Sequence, residues 1–146
     1  MRHPVCGLDQ QRHPDGPVLP RQDLVHGRLS LANAGHTPPF VLGASEEPCE
    51  LLAGALPMGN RLCKPASTEC DFPKGALVLL YSDGLVEAAA ADGEPFGYER
   101  LARVLTASAG LDAESLISNT LKALSDHTAG VPLADDLTLL VIQRCD

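Results

Sequence analysis

Three aspartates stand where apolar runs end or begin. Asp83 follows "ALVLLYS" (76–82), and Asp135 and Asp136 immediately precede "LTLLVIQR" (137–144). If these runs are neighbouring antiparallel strands, the end of one adjoins the start of the next, and three carboxylates crowd one sheet edge. Like charges that close repel and lose hydration, so something must offset them. A hard divalent cation does so, because Mg²⁺ and Mn²⁺ prefer carboxylate oxygen and water ligands. A plainer alternative stands beside this. The pair Asp83 and Gly84 at a strand end is a common turn, and Asp135 or Asp136 caps its own loop. Composition and spacing alone favour the turn.

The other reactive residue types are less pointed. Glu87 follows Asp83 by one helical turn and could face the same edge, although a solvated Glu near a helix N-terminus is the favoured reading. His3, His13, His26 and His127 read as surface residues. The five cysteines, Cys6, Cys49, Cys63, Cys70 and Cys145, form no CxxC pair, so neither a zinc ribbon nor a disulfide framework is indicated. Reduced thiols in a cytosolic protein are the expectation. Cys63 and Cys70, on a possible hairpin strand, leave a redox-active pair as the alternative.

The whole chain narrows the classes further. At 146 residues and a formal net charge of −8, it is one domain with too few Lys and Arg to neutralise a phosphate backbone, which argues against nucleic acid. With no Trp and 3% aromatic residues, base-stacking platforms are also unexpected, and the core must come from Leu, Val and Ala. An acidic chain needs a metal to handle a phosphorylated substrate. No apolar run reaches the roughly 18 residues of a membrane helix, and "MRHPVCGLDQQRHP" has no apolar signal region, so a cytoplasmic protein without membrane contact is expected.

The elements that must position these residues are legible in outline. Residues 1–27 carry Pro4, Pro14, Pro17 and Pro20 without a period and read as a tail or loop. "RLSLANA" (28–34) and "PPFVLG" (38–43) read as strands joined by "GHTP". "ELLAGALPMGN" (50–60) gives a short strand and a loop, and "STECDF" (67–72) alternates as a strand does. The run 76–82 is apolar throughout, as in a strand buried on both faces. "GLVEAAAA" (84–91) turns to helix formers, and "DGEPFG" (92–97) breaks them, with Phe96 as an anchor. "YERLARVLTAS" (98–108) places Leu101, Val104 and Leu105 on one face. "DAESLISNTLKALSDHT" (112–128) opens on Asp112 as N-cap, with Leu116, Ile117, Thr120, Leu121 and Leu124 on its stripe. After a loop (131–136), 137–144 closes as a strand. The order of strands, helices and a returning strand predicts an α+β layer architecture without repeats.

Five segments, in order, carry a resemblance: "LSLANAGHTPPFVL", "ALPMG", "FPKGALVLLYSDGLVEA", "DGEPFGYERL" and "ADDLTLLVI". Together they resemble the C-terminal half of the PPM-type (type-2C) metal-dependent Ser/Thr protein phosphatases, in particular the bacterial SpoIIE/RsbU-like branch. The likeness covers about residues 28–144, and the ordered set is more specific than any single motif. It implies a partial α-β-β-α sandwich over 28–146, with antiparallel sheets, helices on one face and a two-metal Mn²⁺ or Mg²⁺ site. By that resemblance Asp83, in the Ser-Asp-Gly turn beside Gly84, is a metal ligand. Asp135, first of the Asp-Asp-x-Thr motif, ligates the other side of the cluster. Asp136 supports the site or joins it. His36 enters as a possible proton donor, the alternative being that Asn33, Gly35 and His36 only fix their turn.

The implied reaction is hydrolysis of phosphoserine or phosphothreonine by a metal-bridging water, without a covalent phosphoenzyme. The implied substrate is a phosphorylated bacterial regulatory protein of the anti-anti-sigma kind. One departure counts against activity in this chain alone. Family members carry an Asp-x-x-Gly-His-Gly stretch ahead of the AGH segment, and none of Asp9, Asp15 and Asp23 lies in such a stretch. Without a bridging carboxylate, two adjacent dications bind weakly. The expectation is little or no turnover, or a non-catalytic interaction module, with an open sheet edge prone to self-association.

Overall fold

A computed structural model describes residues 21–23, 27–43, 47–52 and 66–145. Two antiparallel sheets stack, and helices cover one outer face. One sheet has three strands in the order β1-β2-β5, formed by β1 (Arg21–Asp23), β2 (Arg28–Asn33) and β5 (Ala66–Asp71). The other has four in the order β4-β3-β6-β7, formed by β4 (Cys49–Glu50), β3 (Phe40–Leu42), β6 (Leu77–Tyr81) and β7 (Leu139–Gln143). Helices α1 (Asp83–Val86), α2 (Gly97–Ala107) and α3 (Ala113–Thr128) fill the stretch between β6 and β7. This is the expected α+β arrangement with helices on one face.

The unbroken apolar run of β6 explains the layering. Because side chains alternate across a strand, Leu77, Leu79 and Tyr81 enter the core beneath the helices with Phe40, Leu42, Leu101, Leu105, Leu116 and Leu124. Val78 enters the core between the sheets with Leu29, Val41, Leu51, Cys70 and Phe72. An alternating strand could have served only one of these two cores.

Several expectations are corrected. The helix expected over 84–91 lasts one turn. Phe96 N–H donates to Ala88 O (2.8 Å), Ala90 N–H to Glu94 O (2.9 Å), and Ala89 pairs with Pro95, so the alanines form one arm of a small hairpin. Its turn is Asp92-Gly93, with Gly93 at φ 85°, a hairpin signal that outweighs weak helix propensity once it buries Phe96. On α3, Leu116, Thr120 and Leu124 are buried, but Leu121 is exposed. His127 is half-buried, not a free surface residue: its Nε2 lies 2.9 Å from Glu94 O, and its ring meets Phe96 edge-on.

β1 falls within the stretch read as a tail and pairs with β2, Arg21 opposite Ser30. Residues 1–20 and 24–26, with Cys6, His3, His13, His26, Asp9 and Asp15, lie outside the described residues, as do the "GALPMG" loop and Cys63. Cys70 is buried, Cys49 half-buried and Cys145 exposed. No helix among the described residues is long and apolar enough to cross a membrane.

Candidate functional site

β6 and β7 are antiparallel neighbours, Tyr81 opposite Leu139. The pairing brings the end of β6 to the start of β7, and side chains extend the junction past the ladder. Ser82 N–H donates to Thr138 O (3.0 Å). Ser82 Oγ donates to Asp136 O (2.8 Å) and accepts from Thr138 N–H (2.9 Å). Gly84, buried beside them, is so close that a Cβ there would stand 2.5 Å from Asp136 O and 3.4 Å from Asp135 O. Asp83, Gly84, Asp135 and Asp136 are therefore gathered at one edge.

A third segment reaches the same end of β6. Asn33 Nδ2 donates to His36 O (2.9 Å), and Asn33 Oδ1 accepts from His36 N–H (2.8 Å), which clamps the turn after β2. Thr37 Oγ1 donates to Tyr81 O. The clamp holds His36 by its backbone and leaves its ring exposed. This is the turn-fixing role expected of Asn33; Ser82 and Thr37 were not singled out from sequence. Ser82 carried a signal all the same: a serine at the N-cap of a helix usually bonds that helix, whereas this one makes no capping bond and holds the segment that leads into β7.

Asp83, Asp135 and Asp136 are all exposed. Asp83 Oδ1 accepts from Gly84 N–H (3.1 Å), and Asp135 Oδ1 accepts from Asp136 N–H (2.7 Å). Each of these two carboxylates thus makes the local turn contact that the plainer alternative predicts. Glu87 ends α1, exposed. Just inside the edge, Tyr81 is 1% exposed and its hydroxyl has no hydrogen-bond partner among the described residues. Burial, reinforced by Tyr98 and Glu50, pushes this phenol well above the ordinary tyrosine range.

Whether these residues suit a metal can be judged from the donors. Their type is right, hard carboxylate oxygens on a shared edge. Their number is short, since among the described residues no three His, Cys, Asp or Glu gather in a way that could hold a metal ion. The described residues thus present one acidic flank and not a complete metal centre.

The sequence model described as Stage II sporulation protein E (SpoIIE) matches residues 18–145. The chain belongs to the SpoIIE family. Its fold is that of PP2C phosphatase domains. The SiaA-PP2C domain of Pseudomonas aeruginosa superposes with a TM-score of 0.68 at 24% identity, over 80% of this chain and 46% of that one. The RsbU and RsbW domains of Rv1364c from Mycobacterium tuberculosis give 0.64 at 27% identity, over 83% and 33%. The Mn-presoaked phosphatase domain of Bacillus subtilis SpoIIE gives 0.67 at 17% identity, over 88% and 56%. Protein IcfG of Synechocystis is 31% identical over 127 residues, which is 84% of this chain and 19% of IcfG. This SpoIIE-family chain thus spans between a fifth and somewhat over half of these relatives.

Proposed function

We propose that this chain supplies one flank of the metal-binding edge of a phosphoserine/phosphothreonine phosphatase. Asp83 and Asp135 are its ligands, Asp136 supports or joins them, and Mn²⁺ or Mg²⁺ is the cofactor. The observation that carries this is the seating of the Ser82-Asp83-Gly84 turn on the backbone of Asp136, with Ser82 Oγ to Asp136 O at 2.8 Å. That contact holds the two acidic segments together although carboxylates repel. Gly84 is the small residue that permits the approach, and His36 lies at the rim as a possible proton donor. The chain carries no Asp-x-x-Gly-His-Gly stretch to supply the bridging carboxylate, so by this reading the chain alone has little or no phosphatase activity.

The substrate we propose is a phosphorylated bacterial regulatory protein in the cytoplasm. Support comes from a relative whose solved structure contains RsbU and RsbW domains of one protein. With a net charge of −8, the chain would depend on metal to attract an anionic phosphoprotein.

Calorimetric titration with Mn²⁺, with Asp83→Asn as control, tests the reading. Saturable binding tighter than millimolar that vanishes in Asp83→Asn supports it. Absence of saturable binding overturns it in favour of the non-catalytic interaction module. Phosphopeptide release in Mn²⁺ at ordinary turnover would overturn the statement that the chain alone is nearly inactive.

A further inference from the structure

We propose that Thr37 is a positioning residue for Asp83. Its hydroxyl stands in for a strand N–H that Pro38 cannot supply, and so fixes the end of β6 immediately before the acidic turn. That Asp83 is the carboxylate to be placed rests on its reading above as a metal ligand.

The need for such a donor follows from the register. β3 and β6 pair with Phe40 opposite Leu79, and the same antiparallel count, carried two residues on, sets Pro38 against Tyr81. Polar groups alternate in direction along a strand. Ser82 N–H donates to Thr138 O, toward β7, so the polar groups of Tyr81 face β3. On the opposite strand Pro39 O accepts from Leu51 N–H on the β4 side, so Pro38 faces β6. Pro38 and Tyr81 therefore meet where a ladder would aim an N–H at Tyr81 O, and proline has none. Tyr81 is buried, where an unpaired carbonyl is costly. Thr37, one residue earlier and half-buried, donates its Oγ1 proton to that same carbonyl.

Thr37 is itself held from the other sheet. Asn33, at the end of β2, donates from Nδ2 to His36 O (2.9 Å) and reaches Thr37 O at 3.5 Å. A chain of hydrogen bonds thus runs from β2 through Thr37 to the last residue of β6. On the β7 side, Ser82 is bonded to Thr138 and Asp136. Residues 81 and 82 are gripped from opposite sides, and Asp83 is the next residue. Ser82 alone would leave the strand end hinged on β7.

Hydrogen exchange on the full chain tests the proposal, read first without metal. Thr37→Val keeps the shape of the side chain and loses its hydroxyl. In that variant the Gly84 amide, held by Asp83 Oδ1, and the Glu87 amide, held by Asp83 O, should exchange about tenfold faster. Exchange in α3 should not change. Thr37→Ser should behave as the parent, and Pro38→Ala added to Thr37→Val should recover protection, because it restores a strand N–H opposite Tyr81. Equal exchange in the parent and Thr37→Val overturns the proposal. So does acceleration that spreads through α3 or that Thr37→Ser shares, or a double variant no better than Thr37→Val. In Mn²⁺ titration, Thr37→Val should bind about tenfold more weakly than the parent, with recovery in Thr37→Ser. Unchanged affinity in Thr37→Val also overturns the proposal. A parent without saturable binding refutes the metal reading instead, and exchange at Gly84 then decides for or against Thr37.

Discussion

The backbone of Gly84 lies against the carbonyl of Asp136: one added methyl group would stand 2.5 Å from that oxygen. Real Cβ atoms do not approach so closely, and the obstacle is backbone, which cannot rotate aside. Gly84→Ala must therefore push the Asp135-Asp136 segment away from the Asp83 turn. We expect a loss of about 1–3 kcal/mol by urea unfolding, the range of overpacked sites. If Asp83 and Asp135 share a metal, Mn²⁺ affinity falls with it. A fully stable Gly84→Ala would mean that the two segments are not held as described.

Ser82 is the polar counterpart of that contact. Its hydroxyl is at once donor to Asp136 O and acceptor from Thr138 N–H. Ser82→Ala removes both bonds where water can partly replace them, so the expected cost is about 1 kcal/mol. Hydrogen exchange should localise the effect, with faster exchange at the Thr138 amide and unchanged exchange in α3.

Asn33 is buried, and its amide grips both polar groups of the His36 peptide. Asn33→Ala leaves them without those partners. A destabilisation of about 1–3 kcal/mol is expected, with altered NMR shifts at His36 and Thr37. Unmoved His36 resonances would count against the clamp.

Tyr81 sets an alkaline limit to stability. Its folded-state pKa lies above the ordinary value of 10.0, so the unfolded chain releases the proton first. Folding stability is then intact below pH 10.0 and falls as pH rises beyond it, by at most about 1.4 kcal/mol per pH unit for one proton. Tyr81→Phe removes a buried hydroxyl that has no partner among the described residues, so neutral-pH stability should hold or rise by up to about 1 kcal/mol. The alkaline decline should also flatten. Melting temperatures from pH 8 to pH 12 decide it, and an unchanged decline in Tyr81→Phe would refute the assignment.

Asp112 works at the opposite end of the scale. Its carboxylate accepts from Ser115 N–H at 2.7 Å and caps α3, which holds its pKa below the ordinary 3.8. That stabilisation is complete above 3.8 and disappears as pH falls through the lower, folded-state value. Asp112→Ala should melt earlier than the parent at neutral pH, and the gap should close in strong acid. A gap independent of pH would show that charge has no part in the cap.

Much of this was legible in the chain because it depends on local pattern. The unbroken run of β6 announced burial on both faces, Asp112 announced the start of α3, and the helical stripe through Leu116 and Leu124 announced the face that packs. The failures are equally local. Four consecutive alanines suggested helix, and the Asp92-Gly93 turn with a buried Phe96 made a hairpin arm of them. Leu121 belonged to the stripe by spacing, yet it is 41% exposed while Leu116, Thr120 and Leu124 are buried.

By itself the sequence determined which residue types could do chemistry, and that Asp83 and the pair Asp135 and Asp136 stand at strand ends, since strand, turn and cap preferences act over a few residues. Tertiary structure alone decided that Asp83 and Asp135, with 51 residues between them, close into one edge. It also decided that Gly84 must be small and that the Ser82 hydroxyl holds the segment leading into β7 rather than capping its own helix. These are consequences of β6 pairing with β7 across the intervening helices. Contacts between residues so far apart leave no period or motif in a sequence; they exist only once the two strands share a ladder.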